Sequence, residues 1–482
     1  MTPSIGKFSV SQEFSNNFAQ ASGDFNPLHV DPVVARRYQF GSTVIHGVCG
    51  TLKALDIVLS RLDNHVSIKN IDVQFNRPIR HNETVEIVCN NLSTGNMRIE
   101  LYVSKKRVQA LDIELINIEQ TIYNSHKYEL AINTIDDKPL ELDYKDSLTI
   151  DNDIDLLWNH NLMESLFPKL KEFIPDCQVA ILLALTRIVG MNCPGLHSVF
   201  AGFTLTFSDT WTDFPNKIHY KVNRNDDRFS LIGISVFNEI VKGEIEALFR
   251  PKPVQQPSYN LIKPIVSKGQ FSSQRALIIG GTRGVGETTA KLIAAGDGYP
   301  VITYNSGKED AQRVCENINL AGGKCSMVQY NVLSPNHDVV ECFDGEDVTH
   351  IYYFASPLIE KSNNPFWSEK LFSRFCDFYL SGLADLLEIF SSEPRYRKNE
   401  LTVFVPSTIY LDQPQKGFTE YISAKAATEA MLNQFVYKYP KWKAMLPRLP
   451  RMLTDQTSGV ANEEPLHSSK VMHEAIMGRV KF

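Results

Sequence analysis

The sequence predicts two fold classes in series: an α+β part made of two repeats, each an antiparallel sheet wrapped round one helix, and then an α/β domain. Three observations predict it. One helical segment followed by four alternating, β-branched segments fills 51–118, and the same succession returns over 178–249. Behind a proline-rich stretch, a buried strand, a glycine-rich turn and a helix run from 275 to 295.

Taken in order, Thr51 to Arg61 reads as a helix, and Ser67 to Phe75, Thr84 to Cys89, Met97 to Lys105 and Ala110 to Ile118 read as strands. Residues 124–150 turn polar and acidic around Asp136-Asp137-Lys138-Pro139, a connector. An apolar helix follows from Gln178 to Met191, then a Cys193-Pro194-Gly195 break. Strands come next, around Val199 to Phe207, Lys217 to Val222, Arg228 to Phe237 and Ile240 to Phe249. Three prolines in Pro251 to Ser258 restrict their predecessors to extended backbone, which marks a linker. The expected domains are 1–124, 125–252, a linker at 253–272, and 273–482.

With 482 residues, 43% hydrophobic and 22% charged content, the chain has the composition of a soluble globular protein. A net charge of −6 argues against nucleic acid as a partner. The longest apolar run, Val179 to Leu185, is far short of the ~20 residues of a membrane span. The first 20 residues have no basic region followed by an apolar one, so a cytoplasmic location is expected. Eight scattered cysteines without C-x-x-C spacing read as reduced, mostly buried thiols, and no metal site is expected.

The string Ser22-Gly23-Asp24-Phe25-Asn26-Pro27-Leu28-His29-Val30-Asp31, with Ile45-His46-Gly47 downstream, sets a carboxylate and an imidazole five residues apart. Both exchange protons near neutral pH, so the pair suits addition or removal of water. Asn26, Pro27 and the Asp31-Pro32 helix start also fit an ordinary turn. The whole string resembles the signature of the MaoC-like, (R)-specific enoyl-CoA hydratase family with its hot-dog fold, over roughly residues 10–120. The resemblance implies that Asp24 and His29 share a catalytic water and that the Gly47 amide binds the thioester oxygen. The chemistry agrees: dehydration needs a base for the C2 proton, an acid for the leaving hydroxyl and N–H donors at the developing enolate oxygen. The second repeat looks like a degenerate hot-dog unit that shapes the acyl tunnel. It has no such string, and its nearest acid/base candidates are Asp176 and His197.

In the C-terminal part, the strand Arg275 to Ile279 leads through Gly280-Gly281-Thr282-Arg283-Gly284-Val285-Gly286 into a helix. A glycine turn there lets backbone approach a pyrophosphate at the positive helix end. Tyr421-Ile422-Ser423-Ala424-Lys425 and the upstream Ser407 complete a set that resembles the short-chain dehydrogenase/reductase family over 273–480. The resemblance implies a Rossmann domain with a doubly wound parallel sheet. Tyr421 would then be proton donor, Ser407 would hold the substrate oxygen, and Lys425 would bind the nicotinamide ribose. Lys425 lies four residues from Tyr421, on the same helix face, where its charge lowers the phenol pKa. No acid ends the second strand, Val301 to Tyr304, and Asn305, Ser306 and Lys308 follow it. With Arg283 and Lys308 available for a 2′-phosphate, NADPH is the expected cofactor, held by Gly280, Thr282, Arg283, Gly284, Val285, Gly286, Asn305, Ser306, Tyr421 and Lys425. The chain departs from the family pattern at Tyr379, where Asn is usual, and at Phe354-Ala355-Ser356, Asn331 and Pro450-Arg451.

Together the two resemblances imply a bifunctional, homo-oligomeric enzyme acting on thioesters of acyl carrier protein or coenzyme A. It would reduce 3-oxoacyl thioesters and dehydrate the (3R)-hydroxy product to the trans-2-enoyl thioester, in fatty-acid or polyketide-like chain building. One alternative runs the same steps backwards, as in β-oxidation. Another keeps the dehydratase and makes the nucleotide-binding domain an inactive scaffold, with Tyr379 as its support.

Overall fold

The computed structural model describes residues 4–62, 64–91, 95–118, 137–208, 215–362, 364, 366–457 and 466–479. The chain divides into two units, Met1–Lys252 and Pro253–Phe482. Among the described residues no helix is long and apolar enough to cross a membrane.

Among the described residues the first unit has ten strands. They are β1 Gly6–Phe8, β2 Val66–Phe75, β3 Val85–Asn90, β4 Gly95–Val103, β5 Lys106–Asn117, β6 Asp151–Asp155, β7 Ser198–Phe207, β8 Lys217–Asp226, β9 Leu231–Phe237 and β10 Val241–Phe249. Their spatial order is β1-β3-β4-β5-β2-β7-β10-β9-β8-β6, antiparallel throughout. The outside-to-centre order of the first five, 1-3-4-5-2, recurs in the second five as 6-8-9-10-7, and β2 pairs with β7 where the halves meet.

Alternation explains the strands: Val85, Ile87 and Cys89 of β3 are buried and Glu86 between them is not. Two helices, Gly47–Leu59 and Asp176–Arg187, fill the inner face. Every residue of the second after Asp176 is buried, the pattern of a helix enclosed all round. Leu52, Leu55, Val58, Leu182 and Leu185 are all at 0% exposure, and burial of such side chains contributes about 1.5–3 kcal/mol each.

Among the elements of this unit that the sequence misses are a helix and two edge strands. The helix Gln12–Ser22, capped by Ser11 and ended by Gly23 at φ 73°, precedes the Asp24 string. β1 is only three residues long, and β6 is Asp-Asn-Asp-Ile-Asp, a charged edge strand without apolar alternation. The helix expected to reach Met191 stops at Arg187 and gives way to one π-helical turn, Ile188–Asn192. The expected boundary at 124/125 lies outside the described residues.

The second unit carries a six-stranded sheet, parallel throughout: β11 Arg275–Ile279, β12 Tyr299–Tyr304, β13 Ser326–Gln329, β14 His350–Tyr353, β15 Leu401–Phe404 and β17 Trp442–Met445. A short pair, β16 Ser407–Thr408 with β18 Arg448–Leu449, lies beyond β15 and β17. The order β13-β12-β11-β14-β15-β17 winds outward in both directions from β11, a doubly wound Rossmann sheet. Residues 253–272, expected as a linker, are instead part of this unit. Tyr259, Ile262 and Phe271 are buried in its core, since proline restricts local backbone without preventing burial of the apolar residues that follow.

Candidate active sites

In the first unit the helix Gln12–Ser22 delivers the chain through Gly23 to Asp24, which is 1% exposed. Asn26 then caps the short turn Pro27–Val30 by accepting from the Leu28 amide. Its own amide donates to the carbonyls of Gly190, at 2.9 Å, and Gly195, at 3.1 Å, so it ties the string to the second half. Asp31 caps Pro32–Ala35, accepting from Val33 and Val34. Each turn-forming residue thus keeps its turn role while the string places Asp24 and His29 face to face.

The Asp24 carboxylate accepts from the Thr186 hydroxyl at 2.7 Å and from the Asn26 backbone N–H at 3.2 Å. A Cβ on Gly190, in the π turn, would stand 2.2 Å from Asp24 Oδ1, so only glycine lets that backbone pass. His29 Nδ1 lies 2.8 Å from the Val44 carbonyl and His46 Nε2 lies 3.0 Å from the Asp24 carbonyl. A carbonyl only accepts, so both nitrogens carry hydrogen, and His29 keeps a lone pair on Nε2. The two imidazoles stack at 3.9 Å.

One polar atom from each of Asp24, His29 and His46 falls within 4.8 Å of the others. Water making two bonds of about 2.8 Å at a tetrahedral angle spans about 4.6 Å, so one molecule can bridge Asp24 and His29. His46 Nε2 is committed to a carbonyl, and its Nδ1 is buried without a hydrogen-bond partner among the described residues. Burial raises the Asp24 pKa against the pull of His29 and Thr186. Burial, with His46 adding to it, pushes His29 down to about 3, and burial pushes His46 down to about 3. Both imidazoles are therefore neutral at pH 7.

Gly47 opens the helix Gly47–Leu59, whose first residues receive no side-chain cap, so its amide is one of the orphan donors of a helix N-terminus. A Cβ there would meet the Phe75 ring at 2.9 Å. Asp176 starts the second long helix, and His197 bonds Glu141 at 3.1 Å, so neither of these candidates joins the Asp24–His29 pair through a bond of its own. Thr186 and Gly190 belong to the site without any local sequence signal, whereas His46 stood beside Gly47 in the quoted motif.

In the second unit the glycine turn links β11 to the helix Gly284–Ala295. Gly280 has φ 79° and a Cβ there would lie 3.1 Å from the Phe354 backbone; one on Gly286 would lie 2.2 Å from the Gly280 carbonyl. The helix receives no side-chain cap, leaving the Gly284 and Val285 amides as orphan donors. Such a cradle fits a pyrophosphate. Thr282 accepts from Arg313 at 3.3 Å, Arg283 lies 3.6 Å from Asp455, and Asn305 and Ser306 follow the end of β12. Arg283 is thus already paired with an acid.

Tyr421 and Lys425 share the helix Thr419–Lys438. One expectation about them is corrected, that Lys425 lowers the phenol pKa. The hydroxyl bonded to Tyr421 belongs to Thr408, and Ser407 instead donates to Glu429, itself held by Arg448 at 2.8 Å. Successive residues of β16 point to opposite sides, and only one can face the phenol. Lys425 also leaves the phenol unassisted: its ammonium donates to the Pro406 carbonyl at 2.8 Å and sits 3.9 Å above the Tyr379 ring. Burial raises the Tyr421 pKa, and burial pushes Lys425 down to about 7. Tyr379 occupies a π turn, Asp377–Ser381, with its hydroxyl 2.6 Å from Ser356.

Residues 5–110 match the family model of the MaoC like domain, and this part of the chain is a MaoC-like domain. Over 81 residues the chain is 33% identical to the peroxisomal hydratase-dehydrogenase-epimerase of Saccharomyces cerevisiae, covering 16% of this chain and 9% of the yeast protein. Over 84 residues it is 33% identical to probable enoyl-CoA hydratase 2 of Dictyostelium discoideum, covering 17% of this chain and 29% of that protein. The chain therefore spans under a third of the length of these curated relatives. Among solved structures, a 3-oxoacyl (acyl-carrier-protein) reductase from Agrobacterium tumefaciens with NADP bound is similar at TM-score 0.38 and 15% identity, covering 43% of this chain and 89% of that one. FolM alternative dihydrofolate reductase 1 from Brucella suis, in complex with NADP, is similar at TM-score 0.36 and 15% identity, covering 43% and 88%. The Rossmann assignment rests on the strand order of the sheet itself.

Proposed function

We propose that the chain is a bifunctional enzyme of acyl-thioester metabolism. The second unit reduces 3-oxoacyl thioesters of acyl carrier protein or coenzyme A to (3R)-hydroxyacyl thioesters with NADPH. The first, read as a double hot-dog, dehydrates them to trans-2-enoyl thioesters. The observation that carries the reading is the buried Asp24–His29 pair, within 4.8 Å, in a MaoC-like domain. Neutral His29 takes the C2 proton at Nε2. Asp24, whose burial favours its protonated form, passes a proton to the departing C3 hydroxyl, which leaves as water. The Gly47 amide meets the oxygen on which enolate charge develops.

In the second unit the glycine cradle supports dinucleotide binding, and NADPH there would supply the hydride. Tyr421 donates the proton to the carbonyl oxygen, Thr408 holds that oxygen beside it, and Lys425 orients the ribose. The opposite direction, hydration followed by oxidation with NAD, is the second reading. The Arg283–Asp455 pair favours it by engaging a cation otherwise free for a 2′-phosphate, and the relatives' names include hydratase and dehydrogenase. A homo-oligomer in the cytoplasm completes the proposal.

The test follows NADPH and NADH oxidation with 3-oxoacyl thioesters and, separately, enoyl formation from (3R)-hydroxyacyl thioesters. Turnover in both supports the proposal. Nucleotide binding without turnover in the first assay refutes the reductase and leaves a dehydratase with a scaffold.

A further inference from the structure

Arg250, just past the end of β10, is 4% exposed. Its guanidinium stacks 3.5 Å over the Tyr38 ring and gives one nitrogen, Nη2, to the Leu196 carbonyl. Nε and Nη1, both buried, have no hydrogen-bond partner among the described residues. No carboxylate pairs with it there either, and the Tyr38 phenol is the one ionisable group that helps keep it charged. A buried, uncompensated guanidinium costs several kcal/mol. Glu141, on the same side of the fold, is engaged by His197 and Lys252.

The position is not remote from the chemistry. The Leu196 carbonyl that holds Arg250 also receives the Asn26 amide, at 3.4 Å, three residues before His29. The Arg250 charge is also within electrostatic reach of the His29 ring, as the smallest of the influences on it. An anion that pairs with Arg250 would thus sit beside the Leu196 carbonyl that Asn26 of the catalytic string also contacts. The phosphates of coenzyme A or of a carrier arm are separated from the thioester by the whole pantetheine chain, so the acyl group itself is the better source.

We propose that Arg250 anchors a carboxylate carried by the acyl group, so that the first unit acts on thioesters of dicarboxylic acids. This rests on the hydratase/dehydratase reading of Asp24 and His29. Nε and Nη1 lie on different edges of the guanidinium, so one carboxylate supplies an acceptor for one of the two open nitrogens, and a charge-assisted hydrogen bond contributes about 1.5–3 kcal/mol, or about 10- to 150-fold in kcat/KM.

The experiment compares hydration of the coenzyme A monothioester of trans-2-pentenedioic acid with that of trans-2-pentenoyl-coenzyme A, in the full chain and in Arg250→Gln and Arg250→Lys. The proposal expects at least a tenfold preference for the carboxylate substrate, lost in Arg250→Gln and partly restored in Arg250→Lys. Equal rates on both substrates, or a preference that survives Arg250→Gln, overturn it. Calorimetry on the wild-type protein keeps the question open to test if neither thioester reacts, which would refute the hydratase reading, or if the variants do not fold. Binding of glutarate but not of glutaramide supports the anchor; binding of neither, or of coenzyme A alone, overturns it.

Discussion

His29 Nδ1 and the Val44 carbonyl oxygen, 2.8 Å apart, fix which nitrogen of this imidazole can act as a base. Val44 bridges Arg80 in the polypeptide segment that carries His46 and Gly47 to the helix, so one hydrogen bond fixes the tautomer and joins the two halves of the motif.

Removing either partner tests the pair. Asp24→Asn and His29→Ala should each lower hydration of a 2-enoyl thioester by about 10²–10⁴-fold, the usual worth of a positioned acid or base. Melting temperatures identify variants that fail for structural reasons. A rate within twofold of wild type in a folded variant removes that residue from the mechanism.

Gly190→Ala should damage the first unit, because its Cβ would fall 2.2 Å from Asp24 Oδ1. Relief of that clash displaces the carboxylate or the π turn, at about 1–3 kcal/mol. Denaturant unfolding and enoyl hydration should both worsen. Unchanged values in both would mean that Asp24 moves aside at no cost.

Acid stability carries the signature of His46. Its pKa falls from 6.5 to about 3 on folding, so the unfolded chain binds more protons between these values. The contribution of its neutral form is complete above pH 6.5 and is lost as pH falls toward 3, up to about 5 kcal/mol. His46→Asn should flatten the pH dependence of unfolding of the first unit in this window. A slope unchanged from wild type would exclude His46 as its source.

For the second unit, Thr408→Val should cost more reductase activity than Ser407→Ala, by about tenfold or more if the Tyr421-bonded hydroxyl also holds the substrate oxygen. The comparison is one of kcat on a 3-oxoacyl thioester. A larger loss in Ser407→Ala would restore the role to Ser407.

Lys425, pushed down to about 7 by burial, should place an inflection near that pH in reductase kcat/KM. Tyr379→Asn removes the ring under the ammonium, admits water and should move the inflection upward. A profile that ignores the substitution would separate Lys425 from the ring.

Most of the architecture was legible because its signals are local. Period-two burial in β3, the enclosed helix Asp176–Arg187 and the strand–glycine–helix start at β11 are each written in consecutive residues. The edge strand β6 was not, since an edge needs no apolar face, and neither was the folding of 253–272 onto the second unit. At the sites, residues within one string were legible: Asp24, His29 and Gly47, and likewise the Gly280–Gly286 turn with Tyr421 and Lys425.

The sequence by itself determined the two modules and the acid/base types they carry, because glycine turns, caps and a five-residue spacing are short-range constraints. Only the tertiary structure decided that Thr186 and Gly190, more than 160 positions from Asp24, shape its carboxylate, that Thr408 rather than Ser407 meets Tyr421, and that two buried nitrogens of Arg250 have no hydrogen-bond partner among the described residues. Those choices follow from which strand pairs with which and from the space left between packed helices, and no stretch of consecutive residues encodes them.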